Sequence, residues 1–509
     1  MSDGYDYDVI VVGGGPGGST AAAVAAKAGL QVLLLEAASH PREKIGESML
    51  PGITPILETI GALDAVRGAG FEVKTGATQW GFGSRDWDLW FRDTDEYETS
   101  WFVDRPIFDA LLFDAAHAAG ADVRQNTPAL GPLLEGEGDA ARIVGVRTAK
   151  EHLRARHVID ASGAAARVVG ERTLRRTIEG LRHRAHYARW RSSERLPPPR
   201  NQQALFVGLN DAWIWCFPLG PDLRSVGLVE LEDAPRRDYD ATVRASTVGE
   251  LLGANAERIS PLRHARDWSY RCEHVAGPGW FAIGDAAGFI DPILSTGVLL
   301  AMHSGLAAAN ACAAIASGGS EADEKTSYAD AHRSMFDDML RIVRFYYEQN
   351  GDRDALFWES KRLLSGRVEL KPQKAFMMLT SGLIGNLALE AARGEAPRSA
   401  DDFVCVHLEE RRGAEVAQLY WLIEGRSDEP ALFQTRSFNL TCLAPRYNND
   451  PIRLPELRAP LEALRGAIDD SDTGFESLTA WWSRGGREAL RSALERLPPE
   501  LRVRRVFGQ

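Results

Sequence analysis

The sequence predicts an α/β protein: a parallel-sheet domain with an inserted antiparallel β-sheet, followed by a mostly helical C-terminal domain. Three observations predict it. Asp8-Val9-Ile10-Val11-Val12, an apolar β-branched run, passes through a glycine turn into an alanine-rich stretch, Ser19 to Leu30. The strand-into-small-residue pattern returns at Val158-Ile159-Asp160-Ala161-Ser162-Gly163 and at Trp280-Phe281-Ala282-Ile283-Gly284-Asp285. Between these lie aromatic, alternating runs, and beyond residue 325 the apolar spacing becomes helical.

The first element has a local reason for each part. A short β-branched run suits a buried parallel strand. It ends in G-x-G-x-x-G, with Gly13, Gly15 and Gly18. Gly13 permits the tight turn, Gly15 lets a pyrophosphate approach the backbone, and Gly18 lets the helix pack on the strand. The helix N-terminus faces the phosphate charge. Val32-Leu33-Leu34-Leu35 is the second strand, and Glu36 at its end stands where an acidic side chain takes ribose hydroxyls. The glycines alone are a weak signal, but strand, helix, second strand and Glu36 in register define a Rossmann-like dinucleotide site. This element does not separate NAD from FAD.

Bulk properties set the class. A chain of 509 residues exceeds the usual size of one core, so two or three domains are expected. The boundaries read as 1–175, with sheet strands near 70–105, then 176–275, a return segment 276–320, and 321–509. A net charge of -12 argues against non-specific nucleic-acid binding. No run is read as approaching the roughly 18 apolar residues of a membrane span. The first strand begins too early to leave room for a signal peptide. Five scattered cysteines without C-x-x-C read as reduced thiols, and the expected compartment is cytoplasmic. H-E-x-x-H, G-x-S-x-G and zinc spacings are absent, so no metal site is expected.

In chain order, Pro41 to Pro51 is a polar loop directly after the cofactor strand, with Glu47 and Ser48 as candidate cofactor contacts. Residues 52–68 resume a helical pattern, and Phe71 to Gly81 alternates like a strand. On that strand Lys74 reads first as a solvated edge residue. The aromatic residues that follow (Trp80, Phe82, Trp87, Trp90, Phe91, Trp101, Phe102) suggest a wall facing an apolar cavity. A lysine pointing into such a cavity would have its pKa lowered by desolvation. Arg105 stands before a helix. Residues 172–200, arginine-rich and ending in three prolines, read as a passage to a second domain. Trp213 and Trp215 share one face of a strand that ends at Pro218, and core packing alone explains such a pair. Thr296 and Gly297 open a second alanine-rich helix whose N-terminal N–H groups can take an anion.

With these pieces in order, the chain resembles the flavin-dependent halogenases, a branch of the superfamily that includes the FAD-dependent aromatic hydroxylases. The superfamily likeness rests on Gly13 to Gly18, Glu36, Arg105 and Gly284-Asp285, and implies FAD, with Asp285 near its ribityl and phosphate region. Three segments are similar to the halogenase branch itself. Trp213-Ile214-Trp215-Cys216-Phe217-Pro218 is similar to W-x-W-x-I-P. Val73-Lys74-Thr75-Gly76-Ala77 matches the strand carrying the essential lysine. Phe289 to Gly297, with Pro292, Ser295, Thr296 and Gly297, is similar to the halide-binding F-x-x-P-x-x-S-x-G. Phe345, Tyr346 and Phe357 resemble more loosely the substrate region of the phenol and pyrrole halogenases. One departure stands out: Leu294 occupies the place of the tryptophan halogenases' glutamate, which disfavours free tryptophan as substrate.

The resemblance implies FADH2 delivered by a separate flavin reductase, with O2 and a halide ion (chloride, bromide or iodide). A flavin hydroperoxide would oxidise the halide to hypohalous acid, and Lys74 would direct that acid to an electron-rich ring. The ring would be phenolic, resorcinol-type or pyrrole, free or tethered to an acyl or peptidyl carrier protein. Nucleic acid and membrane are not expected partners. An aromatic hydroxylase is the nearest rival, and a non-catalytic flavin-binding protein is the third reading.

Overall fold

The first strand, Tyr7–Val12, has Val9, Ile10 and Val11 fully buried, because strands pair with it on both edges. Val32–Leu35 and His152–Asp160 lie beside it in parallel register, and Trp280–Ala282 continues the sheet beyond His152–Asp160. The computed structural model describes residues 4–348, except 83–85, 95–96, 139–140 and 210–211, and the strands Phe403–Arg412, Glu415–Glu424 and Arg502–Phe507. Its helices are α1 (Pro16–Lys27), α2 (Ile53–Ile60), α3 (Leu63–Gly68), α4 (Arg105–Ala118), α5 (Tyr239–Ala245), α6 (Thr247–Leu252), α7 (Gly297–Ala316) and α8 (Glu321–Glu348). The chain divides into two compact units, one of residues 1–360 and 372–389, the other of 361–371 and 390–509.

Helices α1 and α7 pack through small residues. A Cβ at Gly305 would meet the Gly17 carbonyl oxygen at 2.3 Å, and a Cβ at Gly17 would meet that of Ala301 at 2.7 Å. Helix α7 corrects one sequence reading: it is long and apolar enough to cross a membrane by length and composition. More than half of its most apolar window is buried in the fold, as in a core helix.

The second sheet has nine strands and is antiparallel except where Gln203–Gly208 runs parallel to Gly76–Trp80. Its two faces follow from strand alternation. Ile214 and Cys216 point into a core closed by α5 and α6, with Leu228, Tyr239, Val243 and Val248. Trp213, Trp215 and Phe217 alternate with them and face the other way.

Two further readings change. Phe71 to Gly81 is not one strand: Glu72–Lys74 pairs with Ser100–Phe102 in a separate ribbon, while Gly76–Trp80 joins the large sheet. The break falls at Thr75, whose N–H bonds to the Gln202 carbonyl, and a Cβ at Gly76 would meet the Leu89 carbonyl oxygen at 1.8 Å. The arginine-rich stretch is no passage but the 17-residue strand Arg175–Arg191. Alternation sends Arg184 to the buried Glu230 (3.3 Å) on this strand's partner. The described part of the second unit is a three-stranded antiparallel sheet, Phe403–Arg412, Glu415–Glu424 and Arg502–Phe507. Of the expected helical C-terminal domain, residues 321–348 form α8 and belong to the first unit, and the remainder outside these strands, including Phe357 and the Phe345 side chain, lies outside the described residues.

Candidate active site

A cavity of about 1080 Å³ runs between the two sheets of the first unit. One end is the nucleotide cradle. Gly13 and Gly15 line it, while Gly18 does not: a Cβ there would meet the Gly13 carbonyl oxygen at 1.8 Å, so its role is helix-to-strand packing. A Cβ at Gly15 would have only the Arg42 guanidinium within reach, at 3.4 Å, which leaves room for a phosphate against the backbone. The Glu36 carboxylate accepts from the N–H groups of Gly14 and Ala38 at 2.8 and 2.9 Å. Although burial pushes its pKa up, these N–H groups and Arg42 outweigh it and hold the carboxyl below its ordinary value. Glu36 is therefore a fixed anion that accepts hydroxyl donors.

Arg105 and Asp285 stand on the same wall. Arg105 binds Asp109 bidentately, at 2.8 and 3.0 Å, and its Nη1 donates to the carbonyls of Ile45 and Gly46. It thereby straps the 41–51 loop onto α4, and Arg42 of that loop reaches the same carboxylate at 3.4 Å. Burial pushes the Asp285 carboxyl up, against the pull of Arg105, Lys44 and Arg175. The loop places Glu47 against Arg189, 2.7 Å away, and burial raises the Glu47 carboxyl as well.

At the other end lie Trp213, Trp215, Pro292, Ser295 and Gly297. Pro218 is buried at the end of its strand, away from the wall. Ser295 takes a left-handed φ of 58° at the close of a 3-10 turn, and α7 begins two residues later. A Cβ at Gly297 would meet nothing within 4 Å, so the start of α7 opens onto the cavity. Thr296 is buried, and its hydroxyl has no hydrogen-bond partner among the described residues. The first N–H groups of a helix have no intrahelical acceptor, which suits a small anion here.

Lys74 is not the solvated edge residue of the first sequence reading. It is 2% exposed and sits behind Ser48 rather than on the cavity wall. Its Nζ donates to Ser48 Oγ (2.8 Å) and to the Met49 carbonyl (3.0 Å), with the Phe91 and Phe102 rings at 5.1 and 5.9 Å. Burial pushes its pKa down to about 7. Ser295 Oγ donates to Ser48 Oγ at 3.3 Å, so Ser48, read from the sequence as a cofactor contact, lines the cavity beside Glu47 and also links Lys74 to the start of α7. Tyr346 is buried away from the cavity, and its hydroxyl donates to Gln79.

Sequence reasoning missed Asp109 and Gly227. Asp109 is legible in retrospect as the i+4 partner of Arg105. Gly227 carries no local signal. It lies opposite Trp215 on the neighbouring strand, and a Cβ there would meet the indole at 2.1 Å. The expected result of Gly227→Ala is a displaced Trp215, a loss of about 1–3 kcal/mol of stability and weaker FAD binding. Thermal unfolding and a flavin titration check it; unchanged values in both would refute this account of Gly227.

The parallel sheet, the glycine cradle and the cavity define a dinucleotide-binding protein with a Rossmann-like fold. The FAD dependent oxidoreductase family matches residues 8–169. The profile of the tryptophan halogenase family matches residues 90–382, more than half of the chain. The chain is 32% identical over 374 residues to a tryptophan 2-halogenase of Chondromyces crocatus, covering 70% of each. It is 28% identical over 388 residues to the 1H-pyrrole-2-carbonyl-[peptidyl-carrier protein] chlorinase of Pseudomonas fluorescens, covering 69% of this chain and 85% of that one. The solved structure of the myxobacterial chondrochloren halogenase superposes with a TM-score of 0.61 at 29% identity, covering 74% of this chain and 97% of that one. The chain belongs to the tryptophan halogenase family. It is a flavin-dependent halogenase, and FAD is its cofactor.

Proposed function

We propose that the protein halogenates a phenolic or pyrrole ring, free or tethered to a carrier protein, with Lys74 as the residue that directs the halogen. The observation that carries this is the fully buried Lys74 amino group, two hydroxyls removed from the start of α7. When bound, FAD supplies the oxidation: O2 takes two electrons from the reduced cofactor and two from the halide, leaving hypohalous acid and water. Gly13, Gly15, Glu36, Arg105, Asp285 and Trp215 are the residues that would hold it.

The chain's own groups do the rest. The N–H groups of Thr296 and Gly297, with Ser295, bind the halide at the helix start. Ser48 and Ser295 offer hydrogen bonds along the route towards Lys74. The Lys74 amino group holds the hypohalous acid and orients its halogen. The ring forms its carbon–halogen bond, releases a proton, and the hydroxide departs as water. The tryptophan wall and the buried surroundings keep bulk water from the oxidant. Leu294 supports a ring other than free tryptophan, since it offers no carboxylate at that turn. A relative that chlorinates a carrier-bound pyrrole supports tethering. A separate flavin reductase supplies reduced FAD, and the cytoplasm is the compartment that provides its NADH.

The test supplies FAD, a generic flavin reductase, NADH and each halide to a panel of phenols, carrier-loaded pyrroles and tryptophan, read by mass spectrometry. A halogen mass shift on a phenol or pyrrole is the expected result. Halogenation of tryptophan alone would overturn the substrate class. Because Lys74 reacts through its neutral amine, product per reduced flavin should rise with pH through about 7. A profile that falls through the same range would assign the role to the ammonium form instead.

A further inference from the structure

Beside the cavity lies a polar chain, most of it buried, whose aspartate, histidine and tyrosine the mechanism above does not use. Asp291 is fully buried, one residue before the turn that carries Pro292 to Ser295. Its N–H bonds to Ser269 Oγ (2.9 Å), and its Oδ1 accepts from the Ile293 N–H (3.0 Å). The same oxygen accepts from the Tyr347 hydroxyl at 2.9 Å. That hydroxyl in turn accepts the Trp213 indole N–H at 3.0 Å. On the other side, His183 Nδ1 lies 2.8 Å from Asp291 Oδ2, and the imidazole stacks on the Tyr347 ring at 5.1 Å.

We propose that Tyr347 is a positioning residue that, anchored by Asp291, locks the Trp213 indole to the halide-bearing turn. The inference rests on the halogenase reading and deepens it. Indole has a single polar handle, so its N–H fixes the ring's rotation. A tyrosine hydroxyl is a directional acceptor only when its own proton is committed elsewhere, and Asp291 commits it. The aspartate is itself held by the backbone of the turn it precedes. The tryptophan wall and the halide turn therefore share one anchor, although Trp213 comes from the large sheet, Asp291 from the loop before α7 and Tyr347 from α8. An indole held in this way keeps the passage beside Ser295 in a fixed shape, so hypohalous acid reaches Lys74 rather than escaping. A polar chain serving only stability would leave the fate of the oxidant unchanged when cut.

The test is Tyr347→Phe, which removes one oxygen and keeps the ring. In flavin-free protein carrying 15N-labelled indoles, with Trp213→Phe for assignment, the Trp213 N–H should exchange with solvent about tenfold faster. In turnover, reduced flavin should be consumed within about twofold of the normal rate, while product per flavin falls several-fold and trapped free hypohalous acid rises to match. Trp213→Phe combined with Tyr347→Phe should be no worse than Trp213→Phe alone, because the two act through one bond. Unchanged exchange, an unchanged partition of the oxidant, or additive losses would each overturn the proposal. Wild-type protein that yields neither product nor free hypohalous acid would instead refute the halogenase reading, and the indole exchange would then decide the positioning claim by itself.

Discussion

Lys74→Met is expected to lower halogenated product by about 10³-fold while leaving reduced-flavin oxidation and release of hypohalous acid near their normal rates. Methionine preserves most of the volume and the contacts with Phe91 and Phe102 and removes only the amine. Lys74 stands behind Ser48 and not on the cavity wall, so its loss reaches the halide turn only through Ser48, whose hydroxyl keeps its bond from Ser295. Mass spectrometry of the substrate and a chemical trap for the free oxidant, run together, separate the two steps. A variant that still halogenates would remove Lys74 from the mechanism. A variant that also stops consuming reduced flavin would show that the amine is needed before the oxidant forms.

The same substitution has a stability signature of definite sign. The folded-state pKa of Lys74, about 7, lies below the ordinary 10.5, so the unfolded chain binds the extra proton between these values. Stability therefore rises with pH across that window, and the cost of burying the amine is complete below pH 7. Lys74→Met should be more stable than the wild type by a few kcal/mol at pH 6, with the gap closing towards pH 10. A site that is less stable than its apolar replacement is what a functional constraint looks like.

The legible part of the fold was what depends on neighbours in sequence. The glycine spacing, the apolar strands and Glu36 announce the cradle because turn, phosphate approach and helix packing are all local demands. The face of Trp213 and Trp215 followed from strand alternation. Lys74 was ambiguous because a short strand looks the same whether its lysine meets water or two phenylalanine rings. What places it inward is the pairing of Glu72–Lys74 with Ser100–Phe102, and the loop strand-bonded to Phe102 at Ser48. Gly227 was invisible because it acts through an indole of the neighbouring strand, and the bond of Tyr347 to the Trp213 indole was invisible because it joins α8 to the large sheet. The arginine-rich stretch misled because its charge hid a strand: Arg175, Arg176, Arg182 and Arg191 do face solvent. Here alternation hides Arg184 against Glu230, and Glu230 also draws Arg237 at 3.3 Å.

Asp109→Leu should destabilise the protein by about 3–5 kcal/mol and loosen its hold on FAD. Asp109 is fully buried and answers two guanidiniums, Arg105 from its own helix and Arg42 from the loop. Removing a carboxylate so placed leaves Arg105, 7% exposed, as a nearly buried cation without its bidentate partner. The damage should spread through the carbonyls of Ile45 and Gly46, because Arg105 holds them only while Asp109 fixes its orientation. Those carbonyls begin the segment that sets Glu47 and Ser48, so a change on α4 reaches the Lys74 amine without touching it. Removing both charges tests the argument. Arg105→Met with Asp109→Leu should recover most of the lost stability, since an apolar pair of similar volume replaces a buried ion pair at little cost. It should not recover FAD retention, because the loop strap is still missing. Denaturant unfolding gives the first quantity and flavin titration the second. If Asp109→Leu costs under about 1 kcal/mol, the pair is not the buried anchor described. If the double variant regains FAD as well as stability, the loop is held by something other than Arg105.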